Sequence, residues 1–239
     1  MNDRGVLLLH GFTATPECLD SLRVPLEAAG FAVEAPLLAG HGTKVSDLRR
    51  TTWRDWYESV LPAYHALKKR TDAVCIAGLS LGGLLALKIA EEFKVQRLAL
   101  LATPVLFKGF LMNRLLPLVA NTPLHYLYPY QPKLLGPAIN DPAGRRAFRC
   151  YSWMPVEAIM EIVRLQEEVK PGLSGIKAPT VIIHSPKDNT APFENLAYLE
   201  NRLGSKVIRT VKLEKSNHVL TMDYEKDLVA REVVRFFRE

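Results

Sequence analysis

Ser80 stands in Gly78-Leu79-Ser80-Leu81-Gly82-Gly83, a G-x-S-x-G pattern. A serine hydroxyl attacks a carbonyl at neutral pH only when a base takes its proton. The pattern therefore directs attention to a histidine and a carboxylate. Asp188 lies downstream in Ser185-Pro186-Lys187-Asp188, and His218 in Lys215-Ser216-Asn217-His218. Serine, acid, histidine is one of the chain orders in which a catalytic triad occurs. In such a triad the histidine takes the serine proton, and the carboxylate holds the imidazole in the right tautomer. Taken alone, Asp188 also reads as a turn residue capping the next helix, and His218 as a surface loop residue. Their order along the chain favours the catalytic reading.

These residues need elements to position them. The apolar run Ala73-Val74-Cys75-Ile76-Ala77 precedes the serine motif, and Leu84-Leu85-Ala86-Leu87-Lys88-Ile89-Ala90 follows it. The spacing predicts a buried strand, a tight turn at Ser80 and a helix whose N-terminus faces the chemistry. Positions two before and two after the serine crowd each other in such a turn, so Gly78 and Gly82 are small. Gly83 lets the helix start close to the strand. No G-x-x-x-x-G-K-[ST] or G-x-G-x-x-G occurs, which argues against a phosphate-binding turn.

Strand and helix patterns alternate up to residue 103. Strands are predicted at 5–10, 31–35, 73–77 and 97–102, with helices at 17–29, where Thr15 precedes Pro16 as a cap, and at 52–69. Alternation resumes with strands at 180–184 and 207–213 and helices at 193–202 and 224–238. Short continuous apolar strands between helices imply a parallel sheet covered on both faces. Ligands and catalytic groups then gather at the carboxyl ends of the strands, where Ser80, Asp188 and His218 all fall. His10-Gly11-Phe12 follows the first strand. Gly11 permits close approach, and the N–H groups of Phe12 and Leu81 are the candidate oxyanion donors. His10 reads as a residue that fixes this loop by hydrogen bonding. His41, between Gly40 and Gly42, reads either as an entrance residue or as a turn residue. His184 ends a strand and is expected to be buried beside the site. Asp223 is a rival acid, read instead as a dipole partner at the start of the last helix.

Between 104 and 171 no strand pattern stands out; helical patterns occur at 110–119, 142–150 and 155–169. No Asp or Glu lies between Glu92 and Asp141, although the chain carries 25 acids. Phe107, Met112 and other apolar residues fill that window. They read either as a helical cap packed on the core or as an acyl-chain pocket, with a weak lipid-interface contact as a further option. The domain reading is a core of 1–103 and 172–239 interrupted by a cap of 104–171.

At 239 residues, 48% hydrophobic and 23% charged, the chain is an ordinary globular composition. The net charge of +6 is spread over short basic pairs and triplets, which argues against nucleic-acid binding. Cys18, Cys75 and Cys150 are odd in number and widely spaced, with neither disulfide nor metal spacing. A cytoplasmic protein without a leader or membrane span is expected.

His10-Gly11-Phe12, Gly40-His41-Gly42, the motif around Ser80, Asp188 and Ser216-Asn217-His218 together resemble the α/β-hydrolases. More narrowly they resemble small bacterial carboxylesterases related to monoacylglycerol lipases. The resemblance covers essentially the whole chain. It implies a Ser80–Asp188–His218 triad, backbone oxyanion donors, no cofactor and no metal. It also implies hydrolysis of short- to medium-chain acyl esters or monoacylglycerols under a helical cap; a monomer or homodimer is expected. Other acyl-transfer, thioester or C–C hydrolases share the same triad, and a binding protein can share the fold. With the His10-Gly11-Phe12 turn at residue 10, about six parallel strands are expected where the full fold has eight, and the acid segment departs from the usual G-x-x-D.

Overall fold

The computed structural model describes residues 4–107, 122–123, 129–133 and 136–239. Six parallel strands form the central sheet: β1 (Arg4–Leu9), β2 (Ala32–Glu34), β3 (Ala73–Leu79), β4 (Leu98–Leu101), β7 (Thr180–His184) and β8 (Ile208–Lys212). Their order is β2-β1-β3-β4-β7-β8, so β3 is central and leads directly to Ser80. The number and direction of strands agree with the sequence reading.

Both sheet faces are buried, which is why the strands are continuously apolar. Leu7, Ile76, Leu98, Leu100 and Ile182 point into one core. Val6, Leu8, Cys75, Ala99, Leu101 and Val181 point into the other. The first core is closed by α3 (Trp53–Arg70), α4 (Leu81–Glu92), α6 (Val156–Val169) and α7 (Glu194–Arg202). The second is closed by α1 (Asp20–Ala28) and α8 (Lys226–Arg238). Along α8, Val229, Ala230, Val233, Phe236 and Phe237 are buried at helical spacing, as an amphipathic helix on a sheet requires. A short α2 (Val45–Arg49) precedes α3, whose start is capped by Thr52 and Asp55.

Three local expectations change. The first helix opens as a 3-10 turn, Pro16–Leu19, and Thr15 makes no side-chain cap bond. The stretch 104–171 does contain strands. β5 (Tyr130–Pro132) and β6 (Trp153–Pro155) form an antiparallel pair, and α5 (Pro142–Ala147) lies between them. Three-residue strands ending in proline carry too little alternation to be visible in sequence. Asp223 lies before α8 without capping it, and is fully buried. The helix predicted at 110–119, with Met112, lies outside the described residues.

The stretch after β4 is tied to the core. Asn195 accepts from the Leu106 N–H at 2.6 Å and donates to its carbonyl at 3.1 Å, and Gln166 donates to Pro104 O. Arg49 donates to Glu157 at 2.7 Å, and Glu161 accepts the Trp53 N–H at 3.0 Å, joining α6 to α2 and α3. Phe107 packs against Met160 and Val163 of α6.

Candidate active site

Ser80 occupies the turn between β3 and α4 with φ 54° and ψ −116°. Such a backbone is strained for a non-glycine residue and persists only where its surroundings over-determine it. Here the Ser80 N–H donates to Leu101 O at 2.8 Å, and Ser80 O accepts from the Gly83 N–H at 2.8 Å. A Cβ at Gly78 would lie 2.2 Å from Gly82 O, and one at Gly82 would lie 2.0 Å from Leu9 O. The two glycines are thus required by close backbone approach.

β7 and β8 deliver the other two residues. Ser80 Oγ donates to His218 Nε2 at 2.8 Å, and His218 Nδ1–H donates to Asp188 Oδ2 at 2.7 Å. The sequence reading named these three residues, and the fold brings them together from 80 to 218. The Asp188 side chain is fully buried. Burial pushes its carboxyl upward, but the His218 imidazole, hydrogen bonds from His184 and His218, and the Ala191 N–H outweigh this. The net effect holds it well below the usual carboxylate range, so it stays ionised opposite His218.

The Phe12 and Leu81 N–H groups donate to no other described residue. Gly11 brings its loop against the turn, where an added Cβ would meet Leu79 O and Ser80 Cβ at 3.5 Å, an ordinary contact. His10 is buried. Its Nε2 accepts the Leu38 N–H at 3.1 Å, so Nδ1 carries the proton and donates to Gly11 O at 2.9 Å. Burial and the neighbouring His41 push His10 down to about 3, so the ring is a neutral brace. Thr13 follows at φ 64°; Lys133 donates to its hydroxyl, and the Tyr151 N–H donates to its carbonyl at 3.1 Å.

His41 is 1% exposed and packs between His10, Phe12 and Trp56. It is therefore a buried support of the Phe12 loop, and it does not stand open at an entrance. Desolvation pushes it down to about 4. Cys75 is buried in β3, and desolvation raises its thiol to about 12, as for an inert core cysteine.

Several supporting residues were not legible in the sequence. Asp223 accepts the N–H groups of Asn140, Asp141, Asn217 and Tyr224 at 2.7–2.8 Å. Glu225 accepts the N–H groups of Glu214, Lys215 and Ser216 and the Ser216 hydroxyl. Asn217 Oδ1 accepts from the His218 and Asn189 N–H groups at 2.9 and 3.1 Å, joining the loop of His218 to the loop of Asp188. The sequence offered Asp223 only as a rival acid or dipole partner, and the others only as a cluster of polar residues between 214 and 225.

A six-stranded parallel sheet with a strand–serine–helix turn and a serine–histidine–aspartate chain defines an α/β hydrolase. The alpha/beta hydrolase family matches residues 6–232, and the chain belongs to it. It is 32% identical over 238 residues to a thermostable monoacylglycerol lipase from Bacillus sp., covering 98% of this chain and 90% of the relative. It is 26% identical to a carboxylesterase from Bacillus subtilis, covering 99% of this chain and 93% of the relative. A solved structure from work on the metagenome-derived lipolytic enzymes LipS and LipT superposes with a TM-score of 0.89 at 28% identity. That match covers 99% of this chain and 94% of the other. Among the described residues no helix is long and apolar enough to cross a membrane.

Proposed function

We propose that this ester hydrolase is a serine carboxylesterase that cleaves short- to medium-chain acyl esters or monoacylglycerols. The observation that carries this reading is the continuous chain Ser80 Oγ–His218 Nε2 at 2.8 Å and His218 Nδ1–Asp188 Oδ2 at 2.7 Å. His218 takes the proton as Ser80 attacks the ester carbonyl. The carbonyl oxygen becomes an oxyanion that receives the Phe12 and Leu81 N–H groups. The tetrahedral intermediate collapses, the alcohol leaves with the proton from His218, and the acyl group stays on Ser80. Water, deprotonated by His218, then attacks the acyl-enzyme and releases the acid. Asp188 remains ionised throughout and stabilises the imidazolium.

The carboxylesterase and monoacylglycerol lipase relatives support the substrate class. In this reading 104–171 covers the site as a cap, Phe107 and Met112 contribute to the acyl pocket, and the protein works in the cytoplasm. The test is intact-mass analysis after a fluorophosphonate probe, followed by hydrolysis of p-nitrophenyl esters of increasing chain length. A single adduct on Ser80 and an optimum at short or medium chains are expected. A folded protein that takes no adduct would overturn the proposal.

A further inference from the structure

We infer that His184 is a positioning residue of this site, a second imidazole that shares the Asp188 carboxylate with His218 and holds that carboxylate in place. The inference rests on the proposed triad and extends it by one residue. His184 is the last residue of β7 and is fully buried. Its Nε2 lies 3.3 Å from Asp188 Oδ2, the same oxygen that accepts from His218 Nδ1 at 2.7 Å. It also lies 3.2 Å from Ala191 O. A carboxylate and a carbonyl both accept, so the proton is on Nε2, which donates to Ala191 O and lies 3.3 Å from Asp188 Oδ2. His184 Nδ1 has no hydrogen-bond partner among the described residues.

The placement follows from chain geometry. His184 and Asp188 are four residues apart, across a turn that leaves β7. Asp188 Oδ1 accepts the N–H groups of Thr190 and Ala191, each at 2.8 Å. Oδ2 is left to the two imidazoles. One edge of the carboxylate is thus held by backbone, and the other is divided between a structural ring and the base. The Phe193 ring covers His184 edge-on, with centroids 5.9 Å apart. Leu213 N–H donates to His184 O at 2.9 Å, tying the residue to the strand that leads to His218. The charged and titratable groups around the ring are Asp188 and His218 on the loops, and Lys212 of β8 beyond the Phe193 ring.

Two consequences follow. The second donor keeps the carboxylate from rotating away when Ser80 and His218 separate during turnover. It also draws charge from Oδ2, so the hydrogen bond to His218 is weaker than Asp188 alone would make it. Without the donor, Oδ2 stabilises the protonated base more strongly, and the base becomes available only at higher pH.

The experiment compares wild type with His184→Leu, which removes the donor at similar volume, and His184→Gln, whose amide reaches the position of Nε2. For a p-nitrophenyl ester, the acid limb of kcat/KM should move up by about 0.5–1 pH unit in the Leu variant. Its kcat at neutral pH should fall about 3- to 10-fold with KM unchanged, and the Gln variant should restore both. Nitrogen NMR of the wild-type protein should show His184 protonated on Nε2. A folded Leu variant with the wild-type profile, or a loss that Gln does not restore, would overturn the inference. So would a wild-type His184 protonated on Nδ1, a result that needs no variant to fold. Fluorophosphonate labelling separates the two levels. An unlabelled wild-type Ser80 defeats the triad, whereas a labelled Ser80 with an unmoved profile defeats only the role of His184.

Discussion

Ser80, Asp188 and His218 depend on one another through two hydrogen bonds, at 2.8 and 2.7 Å, and neither bond has a substitute among the described residues. Ser80→Ala should therefore lower kcat by several orders of magnitude while the protein stays folded, as steady-state kinetics and circular dichroism would show. Asp188→Asn tests orientation. An amide in place of Oδ2 presents a donor to His218, so the imidazole flips its proton to Nε2 and no longer accepts from Ser80. A loss of about 10³- to 10⁴-fold in kcat is expected, and a loss under tenfold would show that Asp188 does not set the tautomer. The three residues were legible because their types and chain order are chemically restrictive. The assignment of Asp188 over Asp223 was made on position after a strand, and the hydrogen bonds give the reason. Asp188 faces an imidazole, whereas Asp223 faces four backbone N–H groups.

At the scale of elements, the turn between β3 and α4 depends on close backbone contact. Gly82→Ala would push a methyl to 2.0 Å from Leu9 O, so β1 and α4 must separate. Gly11→Ala meets its neighbours at an ordinary 3.5 Å. Thermal melts should show Tm falling by at least about 5 °C for Gly82→Ala and by little for Gly11→Ala. Equal losses would show that the two glycines serve the same purpose. The loop that carries His218 is a second such element. Each Asp223 oxygen accepts two backbone N–H groups, so Asp223→Asn leaves two of the four without an acceptor and should cost about 1–3 kcal/mol of stability. It should also lower kcat, because Asn217 and His218 lose their anchor. Chemical denaturation and kinetics on the same preparation check both effects. The strands and long helices were legible from period and burial. β5 and β6 were not, because three residues beside proline are too few to show alternation and the pairing is made at long range.

Across the whole molecule, two buried histidines link stability to pH. His10 is pushed from 6.5 down to about 3, and His41 from 6.5 down to about 4. The unfolded chain binds protons at both rings below about 6.5, while the folded protein does not until pH approaches these lower values. Their contribution is therefore fully present above about 6.5 and is lost as pH falls, at about 1.4 kcal/mol per pH unit for each ring. Tm should drop steadily from neutral pH toward about pH 4, and His41→Gln should flatten that slope. An unchanged slope would mean that His41 takes up its proton in the folded state as readily as in the unfolded one. The sequence by itself determined what depends on neighbours in the chain: the alternation of apolar strands and amphipathic helices, the glycines of a tight turn, and the order of serine, aspartate and histidine along it. Only the tertiary structure decided which polar groups meet. It buried His41 among three rings, gave Asp223 and Glu225 to the backbone of the loop that carries His218, and set His184 on the carboxylate of Asp188. Some of these partnerships are long-range, as between His41 and His10 or between Asp223 and Asn140, and others close within one loop, as between His184 and Asp188 or between Glu225 and Ser216. Burial then requires every polar group to find a partner that local pattern does not specify.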